Sequence, residues 1–103
     1  MIIDSSTVPF WDTIVTLYND GAANRFASID RAVELAAEFL TTDHERADAL
    51  RIVESIRKGN NMETAFAAGN LPANVCAIIG LTSDIGRLGD SFRLFLRIAH
   101  AAK

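Results

Sequence analysis

At 103 residues, half of them apolar, the chain has room for one hydrophobic core and not for a core plus a separate catalytic domain. Its formal net charge of −3 leaves it without the clustered Lys and Arg that drive phosphate-backbone binding, so no nucleic acid is expected as a partner. It has no uninterrupted apolar run of roughly eighteen residues and no basic-then-apolar leader, so the chain as given reads as soluble and cytoplasmic.

Period-two alternation of β-branched residues is absent, and nearly every break carries helix-end chemistry, which predicts an all-α domain. A first helix opens near Pro9, where the missing N–H costs nothing, and closes before Gly21, with Trp11, Ile14, Val15 and Tyr18 as its apolar stripe. A second is predicted from Ser28 or Asp30 to about Leu40, turning Ile29, Ala32, Val33, Ala36 and Phe39 inward. Thr42 and Glu45 form a capping-box pattern that opens a third helix running to Lys58. Its inner face is Ala49, Ile52, Val53 and Ile56, and Arg57 and Lys58 complement the negative end of the helix dipole. Gly59 stops that helix in a left-handed C-cap.

Asn60 and Glu63 repeat the cap chemistry for a short fourth helix ending at Gly69. Asn70 and Pro72 begin a fifth, which carries Val75, Ile78 and Ile79 and frays into Thr82, Ser83 and Asp84. The sixth starts around Gly86 or Leu88 and runs to the end, burying Leu88, Phe92, Phe95, Leu96 and Ala99. Connections this short predict a compact antiparallel bundle of about six helices. Residues 29–33 and 62–66 share an apolar-acid-x-Ala-apolar layout, a faint internal echo. The loop before the first copy is the longer one, and Asn24, Arg25 and Phe26 in it are candidates for a local surface feature.

No catalytic constellation stands out. His44 and His100 have no Cys or carboxylate at zinc-ligand spacing and are read as exposed first-turn and last-turn residues. Gly80, Gly86 and Gly89 lack the Lys-Ser/Thr ending and the preceding strand of a phosphate-binding loop. Cys76 lies in an apolar run without a neighbouring cation and is read as a buried structural thiol. No cofactor or metal is expected.

Two charged stripes remain. Asp30, Glu34 and Glu38 recur every four residues along one helix face, either as a solvated surface or as an acidic docking face for a basic partner or a cation at a subunit contact. Arg93, Arg97 and His100, continued by Lys103, line the outer side of the last helix, either as solvated, dipole-matched cations or as a membrane-proximal basic set.

Gly59, Met62, Ala65, Phe66, Leu71, Pro72, Gly86 and Leu88 fall on a longer pattern: a Gly-ended helix, a polar pair, an apolar-x-x-Ala-apolar segment, an apolar-Pro step and a Gly-x-Leu turn. In this the chain resembles, over nearly its whole length, the cytoplasmic domain of the type II secretion system F family, which includes the inner-membrane platform proteins of type IV pilus machines. That family's Gly-Glu is replaced here by Thr82 and Ser83, with Asp84 the nearest carboxylate, so the Glu's role is not carried over.

The resemblance implies a non-enzymatic adaptor on the cytoplasmic face of the bacterial inner membrane, contacting the assembly ATPase and neighbouring inner-membrane components. It also implies a transmembrane segment after the last helix, with Arg93, Arg97 and Lys103 beside it, in keeping with the positive-inside rule. Oligomeric state is left open, a homo-oligomer included. The competing class is a free-standing helical interaction module, regulatory or chaperone-like. A hydrophobic span of about twenty residues encoded beyond Lys103 distinguishes the first from the second.

Overall fold

The computed structural model describes residues 1–18 and 28–102. Gly21, Asn24, Arg25, Phe26 and Lys103, all named above, lie outside these. The described residues form six α-helices and no strand: α1 (Val8–Leu17), α2 (Ile29–Ala36), α3 (Asp43–Arg57), α4 (Met62–Ala67), α5 (Ala73–Asp84) and α6 (Leu88–Ala101). Helices adjacent in sequence pack together, and α1 closes the ring against α6. The radius of gyration, 12.2 Å, is close to the ~13 Å of a compact chain of this size.

The helix boundaries follow from local chemistry. A 3₁₀ turn, Ser5–Thr7, leads into α1: Asp4 Oδ1 accepts from the Ser6 N–H at 2.9 Å, and Thr7 Oγ1 accepts from the Asp4 N–H at 3.1 Å. Thr42 Oγ1 accepts from the Glu45 N–H at 3.1 Å and so caps α3, but only this half of the expected box forms, because Glu45 Oε1 accepts from the Thr42 hydroxyl at 3.2 Å and not from its backbone N–H. Gly59 ends α3 with φ +89. There its N–H bonds to the Ile56 carbonyl at 3.0 Å and the Asn60 N–H to the Ser55 carbonyl at 3.3 Å. These two bonds make a Schellman motif. Asn60 enters that motif through its backbone N–H and turns its side chain back to donate to Ser55 Oγ at 2.9 Å, so the cap of α4 moves on by one residue. Asn61 Oδ1, not Asn60, accepts from the Thr64 N–H at 2.8 Å.

The end of α5 repeats the device. Gly86 has φ +74, its N–H bonds to the Ser83 carbonyl at 3.1 Å, and the Arg87 N–H bonds to the Thr82 carbonyl at 2.8 Å. The helix therefore closes cleanly through Asp84 where fraying was expected, because the Schellman bonds use its last carbonyls. At the end of α4 the left-handed residue is Asn70, with φ +62. Gly69 beside it is required for space, since a Cβ there would lie 2.5 Å from Ile52 Cδ1.

One inward assignment is corrected. Phe39 is 54% exposed, while Ala37 and Leu40 are buried. The reason is local: α2 gives way to a 3₁₀ turn at Ala37–Phe39 followed by extended backbone at Leu40, which breaks the 3.6-residue phase behind the expectation. Val15, Tyr18, Ile56, Val75, Ile78 and Leu96 lie at the edge of the core, partly buried.

The centre of the core is aromatic. Phe10, Trp11, Phe66, Phe92 and Phe95 have no exposed surface. Trp11 meets Phe95 edge-on at 5.4 Å between centroids, and Phe66 meets Phe92 at 5.7 Å. This network ties α1 and α4 to α6. The Trp11 Nε1–H lies inside it without an acceptor among the described residues.

Candidate functional site

The acidic stripe is largely committed within the fold. Arg57, in the last turn of α3, reaches across to α2. There Asp30 Oδ2 accepts from its Nε at 3.0 Å, and Glu34 Oε2 and Oε1 accept from Nη1 and Nη2 at 3.2 and 3.3 Å. Glu34 is also paired with Arg31. The Ser28 hydroxyl, and then Arg57, hold the Asp30 carboxyl below its ordinary range. For Glu34 the lowering comes from Arg57 first and then Arg31. Arg57 is thus a clamp between helices as well as a dipole-matched cation. Glu38 alone of the three has no ion pair among the described residues. It borders a groove of about 420 Å³ whose lining includes Arg31, Leu35, Arg46 and Leu50.

The basic stripe is divided in the same way. Asp90 accepts from Arg87 Nε at 2.6 Å and is also paired with Arg93. Arg93 first, and then Arg87, lower its carboxyl pKa. Arg97 has no ion-pair partner among the described residues, and His100 is exposed in the last turn. Arg87, Arg93 and Arg97 rim a groove of about 710 Å³ between α1 and α6, with Val15 and Leu96 on its walls. One carboxylate against three guanidiniums leaves the groove positive. Lys103 lies outside the described residues.

A third cluster escaped the sequence reading. The Met1 ammonium is buried against Asp48 Oδ2 at 2.9 Å, with both side chains fully covered. The same ammonium donates to the Gly69 carbonyl at 3.3 Å and the Asn70 carbonyl at 3.4 Å. Asp48 Oδ1 accepts from Asn70 Nδ2 at 2.9 Å and is paired with Arg51. One signal for it was present: Asp48 stands beside Ala49 and one helical turn before Ile52, on the inward face of α3. Its partner lies 47 residues away, beyond the reach of any local pattern.

This cluster ties the N-terminus, α3 and the α4–α5 turn together. Within it both Asp48 oxygens accept hydrogen bonds, and the Met1 ammonium donates to three acceptors. His44 is 79% exposed at its side chain and stands 3.8 Å from Asp48 Oδ2. Cys76 is buried, and burial first, then the Glu63 charge, pushes its thiol pKa up, away from the reactive thiolate. A smaller surface pocket includes Arg51, Ser55, Lys58 and Asn60 in its lining. Asn60 Nδ2 donates to Ser55 Oγ there at 2.9 Å. Among the described residues no three His, Cys, Asp or Glu side chains converge as metal ligands, and no helix is long and apolar enough to cross a membrane.

No family model, curated protein or solved structure matches the chain.

Proposed function

We propose that this chain is a non-enzymatic adaptor domain of an inner-membrane platform protein in type IV pilus biogenesis or type II secretion, held on the cytoplasmic face of the bacterial inner membrane. In that role it binds the assembly ATPase and couples its motion to pilin assembly. What supports the reading is the punctuation of the fold. The two Schellman stops at Gly59 and Gly86 and the start of α5 at Pro72 stand at the positions that carry the family resemblance. Between them, Ala65 and Phe66 fill the core.

On this reading Glu38 and its groove face the ATPase, and Arg97 with the groove around it faces anionic headgroups. Asp30 and Glu34 contribute by holding α2 against α3.

Capture of the assembly ATPase encoded beside this gene, together with co-sedimentation on anionic vesicles, tests the reading. Glu38→Lys is expected to weaken ATPase capture and leave vesicle binding unchanged, and Arg97→Glu to do the opposite. A wild-type chain that captures no such ATPase, or a gene that encodes no apolar span after Lys103, overturns it.

A further inference from the structure

The outer face of α5 has the composition of an interior. No charged residue occurs from Ala73 through Ser83, and Leu81 and Ile85 are 68% and 70% exposed, more than any other large apolar side chain among the described residues. With Asn74 and Ile78 they make a row spaced four, three and four residues apart, the spacing of a helix–helix seam. The opposite face of α5, Cys76 and Ile79, is already buried in the core. A helix that is apolar all round is ordinarily covered all round.

The charges on α5 indicate what covers it. Asp84 sits at the helix C-terminus, the end where the dipole disfavours an anion, and has no ion-pair or hydrogen-bond partner among the described residues. The first turn of α5 carries no acid and Pro72 offers no capping side chain, so its only side-chain acceptor among the described residues is the neutral Asn74 amide, which accepts from the Val75 N–H at 3.0 Å. Each end therefore has what the other lacks. Two α5 helices laid antiparallel set Asp84 of each copy beside the positive end of the other. The row is nearly symmetric under that operation: Ile78 meets Leu81 of the second copy, and Ile85 meets its Asn74.

We propose that a second copy of this chain covers α5, in a two-fold dimer whose seam is Ile78, Leu81 and Ile85 with Asp84 closing each end. This assignment is independent of the proposed pilus or secretion role. A seam between two 12-residue helices is about 18 Å long, so the dimer is weak and its population depends on protein concentration.

Sedimentation equilibrium across the micromolar range should show the average mass rising from 11.2 kDa towards twice that value. Leu81→Lys and Ile85→Lys should each raise the dissociation constant by on the order of thirtyfold or more, as expected at the centre of an interface. Because both side chains are exposed, far-UV circular dichroism and the melting temperature of the dilute monomer should stay at wild-type values. Amide chemical shifts of the wild-type chain, followed on dilution, provide a check that needs no variant, and the shifting residues should cluster on Asn74, Ile78, Leu81 and Ile85. A chain that remains monomeric throughout, a dimer that survives both lysines, or dilution shifts confined to another helix overturns the proposal.

Discussion

At Gly59 and Gly69 the same residue type is needed for different reasons. A Cβ on Gly59 would meet nothing within 4 Å, so the only cost of a side chain there is its positive φ. Gly59→Val should destabilise the fold by about 1–2 kcal/mol, and Gly59→Asn by less, since Asn tolerates the left-handed region. Urea midpoints measure both, and a neutral Val variant would remove the left-handed stop. Asp48 is the buried carboxylate on which Met1, Arg51 and Asn70 converge. Replacing it with Asn leaves the buried Met1 ammonium without its counter-charge, an expected loss of about 3–5 kcal/mol. Burial pushes the Asp48 carboxyl up, but the Met1 ammonium and the Asn70 amide outweigh that and hold it below its ordinary value of 3.8. A carboxyl whose folded pKa lies below its unfolded one stabilises the protein above the unfolded value, and that stability drains away as pH falls through the folded one. The melting temperature should therefore decline on acidification below about pH 4. Asp48→Asn should flatten that decline, and an unchanged acid limb in this variant would mean that other carboxylates carry it.

Helix ends decide how the elements join. The third helix stops through backbone bonds from Gly59 and Asn60, and the fourth starts on the side chain of Asn61. Asn61→Ala should then cost about 1 kcal/mol, as lost N-caps do. Asn60→Ala should cost less, because its part in the Schellman motif is played by its backbone N–H and the substitution removes only the bond to the Ser55 hydroxyl, leaving every helix-end N–H with its partner. Denaturant melts of the two variants with the opposite ranking would return the cap to Asn60. The α2–α3 clamp qualifies any test of the acidic stripe. Reversing charge at Asp30 or Glu34 breaks their bonds to Arg57 before it alters any external surface, so Glu38 is the position where a docking effect can be read without that loss.

Across the whole molecule stability concentrates in the aromatic centre. Phe66, Phe92 and Phe95 are fully buried, and each Phe→Ala change should cost about 3–5 kcal/mol, a large share of the ~5–15 kcal/mol available to a small domain. Near-wild-type unfolding midpoints for these variants would contradict that placement. The all-α class, the six helices and most of their inward faces were legible in the sequence, because hydrophobic period and end-capping are local properties that a few neighbouring residues fix. The cap at Asn61 and the outward turn of Phe39 were misread by a residue or so, for equally local reasons: the Asn60 side chain turned back to Ser55, and a 3₁₀ turn broke the phase. The charged stripes were visible as spacings, but their engagement was not. Whether Asp30 and Glu34 stand free depends on an arginine more than twenty residues away, and the pairing of Met1 with Asp48 spans almost half the chain. Local patterning determined what each helix is and which side it hides, whereas only the tertiary packing of α2 on α3, and of the N-terminus on α3, decided which charges are spent inside the fold and which remain for a partner.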